Sequence, residues 1–124
     1  MHFYDDLSQG AVGDRADAWA AVMSGTPGSS ATAFWLFLPL AEQGYGDAQF
    51  IVGTYFSNGI AGVVPQDREQ AYLWYALAAE HFEDEYWRKT AARNRDLVAA
   101  KMTDEQVAEA RRLAREWKPE PAKP

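Results

Sequence analysis

The sequence predicts an all-α fold, arranged as a short α-solenoid of antiparallel helix pairs with about five to six helices. Apolar residues recur at helical spacing over most of the 124 residues, and no stretch alternates between polar and apolar residues as a half-buried strand does. Residues typical of helix caps separate the apolar stretches. In addition, residues 33–44 align with residues 71–82, and this offset of 38 residues is typical of helix-pair solenoids.

The first two predicted helices lie before residue 45. One spans about residues 16–23, and the next spans residues 30–43. Gly44 follows at the position where a left-handed glycine closes a helix. Pro39 lies inside the second helix and removes one amide donor, so we expect a bend there.

The third and fourth predicted helices flank a loop rich in small residues. The third spans residues 47–57 and ends before Gly59. The fourth follows Asp67, whose side chain is suited to cap it, while Gln70 stands three residues later, where it can reciprocate. This helix ends near His81.

Two further helices complete the prediction. One spans about residues 83–101 and starts with acidic residues, as the helix dipole favours. The last follows Thr103, which forms a capping-box pattern with Gln106, and runs to about Lys118.

The composition excludes several classes of protein. Apolar residues make up 48% and aromatic residues 14% of the chain, which excludes intrinsic disorder. Without cysteine the chain can form no disulfide, thiolate nucleophile or all-cysteine zinc site. The net charge of −6 argues against nucleic acid and anionic membranes as partners. The longest apolar run, residues 33–41, is too short to span a membrane and no targeting segment is visible, so we expect a soluble cytoplasmic protein without membrane insertion.

Charge is divided unevenly along the chain. Residues 1–87 contain twelve acids and two bases, a net charge of −10, whereas residues 88–124 contain ten bases and six acids, a net charge of +4. Solvated faces that differ in sign explain this division. Alternatively, it steers a partner or lets molecules associate head to tail.

No catalytic or cofactor-binding motif is present. His81 is expected to cap carbonyls or face solvent at a helix end, not to act as a base. Glu83, Asp84 and Glu85 are adjacent on a helix, so they point in different directions and cannot converge on one ion. They form either a solvated helix start or a contact for a basic partner. We therefore expect no enzymatic activity, no metal and no cofactor.

The aromatic residues divide into expected core and candidate contacts. Tyr86 and Trp87 are adjacent, so at least one of them is expected to be partly exposed, where aromatics anchor interfaces. Phe34 and Tyr72 occupy equivalent positions of the internal repeat and are weaker candidates for the same role. Five other aromatics have spacings that favour the core: Trp35, Phe37, Tyr55, Trp74 and Tyr75.

Three arginines on the last helix have two interpretations. Arg111, Arg112 and Arg115 lie opposite the apolar stripe of that helix. Solvation explains them, together with an ion pair between Arg112 and Glu109 at i,i+3. Alternatively, they dock against an acidic surface.

Residues 41–79 resemble one repeat of the Sel-one-like repeat family, relatives of the tetratricopeptide repeat. The pattern consists of small residues at helix crossings, a glycine that closes the first helix and an aspartate that opens the second. It is carried by Ala41-Glu42-Gln43-Gly44, Asp47-Ala48-Gln49, Gly53, Tyr55, Gly59, Asp67, Ala71, Trp74 and Ala78-Ala79. The chain departs from the pattern at Phe82, where the family usually has glycine. The closing stretch resembles the terminal capping helix of bacterial members.

The resemblance implies a right-handed superhelix whose concave surface holds a protein or peptide partner, and it supplies no catalytic residue. We expect one domain over residues 1–118. It comprises a degenerate N-terminal cap over 1–32, the best-matching repeat region over 33–81 and capping helices over 82–118. A flexible, proline-rich tail is expected over 119–124.

The predicted function is therefore a non-enzymatic adaptor that presents a helical-repeat groove to another protein, with an acidic rim suited to a basic partner. The alternative is a structural unit that assembles with itself through its acidic and basic halves.

Overall fold

The computed structural model describes residues 16–24 and 28–121, and within these residues it is all-helical apart from its loops. The all-α solenoid prediction is confirmed. The first helix, α1, covers residues 16–24 of the described part. The five that follow are α2 (Ser29–Gln43), α3 (Gly46–Asn58), α4 (Arg68–His81), α5 (Glu85–Ala99) and α6 (Asp104–Glu116).

The predicted capping residues lie at the starts and ends of the helices, as expected. Gly44 follows α2 with φ of 108°, and its amide donates to the carbonyl of Ala41 at 3.1 Å. The Asp67 carboxylate accepts from the amide of Gln70 at the start of α4. Both hydrogen bonds of the capping box between Thr103 and Gln106 are present at the start of α6. The local sequence therefore sets these boundaries.

The start of α5 lies two residues later than predicted. Asp84 does not belong to the first turn but precedes it, and its carboxylate accepts from the amides of Tyr86 at 2.8 Å and Trp87 at 3.3 Å. A carboxylate that satisfies two amides at a helix start acts as the N-cap, so the helix begins at Glu85.

Consecutive helices from α2 to α5 pack on one another, and α6 packs on α4 beside α5. α2 packs on α3 and α3 on α4, whereas α5 and α6 both pack on α4. One core cluster includes residues from α1 to α4, and a second contains Ala71, Tyr72, Tyr75, Val98 and Ala110. Helix α4 contributes to both clusters, so it is the central helix of the fold.

The internal repeat places α2 and α4 in equivalent positions. Ala33 and its counterpart Ala71 are both completely buried. Trp35 departs from this symmetry, because 59% of its surface is exposed whereas its counterpart Leu73 is buried. The prediction that Trp35 lies in the core is therefore wrong. Helical spacing places it beside core positions but does not supply neighbours to cover an indole at that position.

The start of α3 lies directly against the turn that follows α4. A Cβ atom at Gly46 would be 2.6 Å from the Cα atom of Phe82 and 2.7 Å from the carbonyl carbon of His81. Only glycine leaves room for two backbones at this separation.

A buried glutamine reinforces the same contact one turn further along α3. The side-chain amide of Gln49 donates from Nε2 to the Ala41 carbonyl at 3.1 Å. Its Oε1 lies 2.9 Å from Nδ1 of His81, which must donate because an amide oxygen can only accept. Gln49 is completely buried, so one side chain joins the ends of α2 and α4 through α3.

Gly53 lies one further turn along α3 and faces an aromatic ring. A Cβ atom here would be 3.0 Å from the ring of Tyr75. The Tyr75 hydroxyl lies 2.8 Å from Thr54 Oγ1, which donates its own proton to the Phe50 carbonyl. Tyr75 therefore donates to Thr54, and burial raises the pKa of Tyr75. The nearest neighbours of a Cβ atom at Gly53 are thus the ring atoms of a side chain.

The segment after α6 returns to the end of α2. The amide of Glu120 donates to the Glu42 carbonyl at 2.7 Å, and Pro119 lies near Gly44. Residues 122–124 lie outside the described residues, and the flexibility predicted for residues 119–124 stays a prediction.

We expect Gly46→Ala to lower the free energy of unfolding by roughly 3 kcal/mol, because the new methyl group forces the backbones of α3 and the α4–α5 turn apart. Gly53→Ala is the comparison. Its new methyl group meets the Tyr75 ring, which can shift, so this variant should lower the free energy of unfolding by less. Urea denaturation followed by circular dichroism measures both. Equal stability of Gly46→Ala and the natural chain would contradict the close packing.

Raising the pH through the alkaline range should destabilise the fold. The pKa values of Tyr55 and Tyr75 are raised above their ordinary value of 10.0, chiefly by burial. The contribution of these two neutral side chains to the free energy of unfolding is therefore fully present below pH 10. It is lost as the pH rises through their pKa values in the folded state. Tyr75→Phe should reduce the loss of unfolding free energy between about pH 8 and about pH 11. Tyr86→Phe, at an exposed tyrosine, is the control and should leave the loss unchanged.

Candidate interaction surfaces

Four aromatic rings meet where the α4–α5 turn lies against α3. This aromatic corner consists of Phe50, Phe82, Tyr86 and Trp87. The Trp87 ring stacks on Phe82 with centroids 5.9 Å apart and meets Phe50 edge to face at 5.7 Å. Tyr86 meets Trp87 edge to face at 5.1 Å. Stacked and edge-to-face contacts of this kind favour these ring orientations.

The outer rings of the corner face solvent. Tyr86 is 65% exposed and Trp87 is 42% exposed, whereas Phe50 and Phe82 are half-buried beneath them. The sequence predicted that at least one of the adjacent pair would be exposed, and both are. Large aromatic side chains exposed side by side on a folded chain are typical of contact sites.

Hydrogen bonds to the backbone hold the corner from both sides. Asp84 caps the helix that carries Tyr86 and Trp87. From the next turn of α5, Arg88 donates through Nη1 to the carbonyls of Phe82 and Glu83, both at 2.8 Å. The α4–α5 turn is therefore fixed in place by two charged side chains.

Acidic side chains border the aromatic corner. Glu83, Asp84 and Glu85 are all exposed, and Glu85 pairs with Lys89 at 3.0 Å. A cavity of about 350 Å³ lies beside the rings and is lined by residues 44–47 and 81–84. Asp47 is one of these lining residues and adds another carboxylate. The surface thus combines exposed aromatic rings with negative charge.

The structure places the two remaining aromatic candidates in the core. Phe34 is buried and its ring meets the ring of Phe56 at 5.5 Å. Tyr72 is also buried, and its hydroxyl accepts from Arg111 Nε at 3.1 Å. Equivalent positions in a repeat share an environment, and here that environment is the helix interface. Phe34 and Tyr72 therefore offer almost no surface to a partner in this conformation.

A second surface lies between α5 and α6, above α4. We call it the basic groove. It has a volume of about 1280 Å³ and contains five cationic side chains and two carboxylates, Glu80 and Glu85. The cations are Arg88, Lys89 and Arg95 on α5 and Arg111 and Arg115 on α6.

The sequence did not predict the basic groove, because its cations come from two separate helices that both pack on α4. The excess of bases after residue 87 was the available signal. Of the three arginines Arg111, Arg112 and Arg115 on α6, the first and the last line the groove. The hydrogen bond to Tyr72 raises the pKa of Arg111. Arg112 pairs with Glu109, as predicted, through a hydrogen bond of 2.9 Å.

In residues 16–24 and 28–121, no three or more His, Cys, Asp or Glu side chains come together as a group that could hold a metal ion. No helix in the same ranges is long and apolar enough to cross a membrane. The cytoplasmic location stays a prediction.

Comparison with known families identifies the repeats. Residues 23–45 and 46–81 each match the family model described as the Sel1 repeat, the repeat of the Sel-one-like family. The second match begins at Gly46 and ends at His81, whose backbones meet in the structure. No curated protein and no solved structure matches the chain. Sel1 repeats are generally protein–protein interaction modules. Residues 23–81 therefore consist of two Sel1 repeats at the centre of the fold, which supports a relation to the Sel1-like repeat family.

Proposed function

We propose that the chain is a non-enzymatic interaction module whose aromatic corner binds a basic segment of a partner protein. The observation that carries the proposal is the exposure of Tyr86 and Trp87 side by side on a turn that is fixed by hydrogen bonds. Tyrosine and tryptophan are enriched among the residues that dominate binding energy at interfaces. Because the two rings are already ordered, a partner loses little affinity to their immobilisation.

The acidic border favours a basic partner. A Lys or Arg side chain placed over the face of Trp87 gains a cation–π interaction. The carboxylates of Glu83 and Asp84 lie next to the rings in sequence and are exposed, so they attract the same cation. Such charges chiefly increase the rate of encounter and the specificity, while the rings supply most of the affinity.

The double variant Tyr86→Ala/Trp87→Ala should lose the partner. We would capture proteins from lysate of the source organism with the purified chain at low and high salt and quantify them by mass spectrometry. We expect at least one partner near equal stoichiometry, reduced at least about tenfold for the double variant and weakened by salt. Leu97→Ala is the matched control, because Leu97 is exposed on the same helix outside the corner. Equal capture by the double variant would refute the role of the corner.

Asp84 should stabilise the aromatic corner by capping the backbone amides of Tyr86 and Trp87. Asp84→Ala removes the cap of α5 and should lower the free energy of unfolding by about 1 kcal/mol. Asp84→Asn removes the charge but keeps an oxygen that can accept from the same amides, so it should retain most of the stability. Glu83→Ala, at an exposed neighbour without a capping role, should retain all of it. Thermal denaturation compares the three variants, and equal stability of Asp84→Ala and Glu83→Ala would contradict the capping role.

Self-association is the second candidate function. It is favoured by the opposite net charges of residues 1–87 and 88–124, together with a groove in which cations predominate. Analytical ultracentrifugation of the chain alone decides it. A mass that rises with concentration and falls with salt would support self-association, whereas a constant monomer mass would refute it.

A further inference from the structure

We propose that the basic groove binds an acidic peptide segment of a partner protein. This inference rests on the proposed function as an interaction module but not on the aromatic corner, which has the opposite charge. It assigns a second binding surface to the same chain.

The shape of the groove suits an extended peptide. α5 and α6 both pack on α4, and the surface of α4 between them carries the small side chains of Ala76 and Ala79. The volume of about 1280 Å³ exceeds the range of about 300–1,000 Å³ that is typical of sites for small molecules. Trp117 and Pro119, in the segment after α6, also line the groove. The groove is therefore a channel with an apolar floor and charged walls.

Two of the arginines are held in place before any ligand binds. Arg111 donates through Nε to the buried hydroxyl of Tyr72, and its terminal nitrogens have no hydrogen bond to any other residue of the described ranges. Arg88 is held by the carbonyls of Phe82 and Glu83. Ordered side chains cost a ligand less conformational entropy than free ones.

The remaining cations leave the groove with unbalanced positive charge. Arg115 makes no hydrogen bond or ion pair with any residue in ranges 16–24 and 28–121. Arg95 pairs with Asp96, and Lys89 pairs with Glu85. Five cations against two carboxylates line one cavity, although the whole chain has a net charge of −6. The groove is therefore a local positive site on an acidic protein.

Carboxylate side chains are the ligand that this arrangement fits best. Guanidinium groups bind carboxylates with two parallel hydrogen bonds, and arginine is the cation best suited to such pairs. A nucleic acid fits less well, because its many phosphates are repelled by the net charge of the chain. The Trp117 ring, which could stack on a base, already packs against His81 at 5.3 Å.

The test uses a pool of synthetic peptides of about eight residues, since an extended peptide of that length spans about 26 Å and α5, with 15 residues, is about 22 Å long. Half of the positions are Asp or Glu and half are randomised. Pools with Gln or Lys at the acidic positions are the matched comparisons. Isothermal titration calorimetry on the full chain measures binding at low and moderate salt. We expect the acidic pool to bind at least about tenfold more tightly than the glutamine pool.

The variant Arg111→Ala/Arg115→Ala should remove this preference. Arg112→Ala/Lys118→Ala is the matched control, because it changes the net charge equally on residues that do not line the groove. Circular dichroism confirms that both variants are folded. The proposal is overturned if the acidic and glutamine pools bind equally, or if both double variants bind the acidic pool equally.

Three further outcomes distinguish this proposal from a nucleic-acid groove, from self-association and from the aromatic corner. Tighter binding of a single-stranded oligonucleotide than of the acidic pool would overturn it in favour of a nucleic-acid groove. Self-association that depends on Arg111 and Arg115 and is blocked by the acidic pool would overturn it in favour of a second copy of the chain. Tyr86→Ala/Trp87→Ala should bind the acidic pool normally, so failure of the aromatic corner and failure of the groove are distinguishable.

Discussion

The contact between the start of α3 and the end of α4 is the constraint on which the rest of the structure depends. Gly46 lets the backbone of α3 touch the backbone at His81 and Phe82. The buried side chain of Gln49 then ties the same two helix ends to the end of α2. A polar side chain without exposure is stable only if its hydrogen bonds are made, so Gln49 fixes the spacing of three helices at once. Both candidate surfaces begin at the turn that this contact positions.

The difference between Gly44 and Phe82 explains how the aromatic corner arises. Gly44 follows α2 and Phe82 follows α4, and the two residues are equivalent in the internal alignment. Gly44 has φ of 108°, a conformation that favours glycine, whereas Phe82 has φ of −64° and ψ of 133°, which any residue adopts. The departure from the family pattern therefore costs no backbone strain. It places a ring under Trp87 where the first repeat has only a hydrogen atom.

Much of the helix pattern follows from local sequence, because caps and helical periodicity act over a few residues. The cap at Asp67 and the capping box at Thr103 are examples, and the structure contains both. Properties that depend on neighbours distant in sequence could not be predicted in the same way. Trp35 has the periodicity of a core residue but is exposed, and Gly46 has no local signal for its contact with Phe82. The basic groove belongs to the same class, since packing on α4 is what brings its cations together.

Arg88 links the two surfaces, and unlike Lys89, which pairs with Glu85 of the acidic border, it is held by backbone carbonyls and not by a carboxylate. Its side chain lines the basic groove, yet its Nη1 donates to the carbonyls of Phe82 and Glu83 in the turn that supports the aromatic corner. Those carbonyls are fixed backbone dipoles, so they hold the guanidinium without consuming a carboxylate from the acidic border. Asp84 in turn is directed towards the amides at the start of α5. The backbone at this turn accepts hydrogen bonds from Arg88 and donates hydrogen bonds to Asp84. Neither of these two side chains therefore needs an oppositely charged side chain as its partner. The turn between α4 and α5 thereby separates a negative aromatic surface from a positive groove.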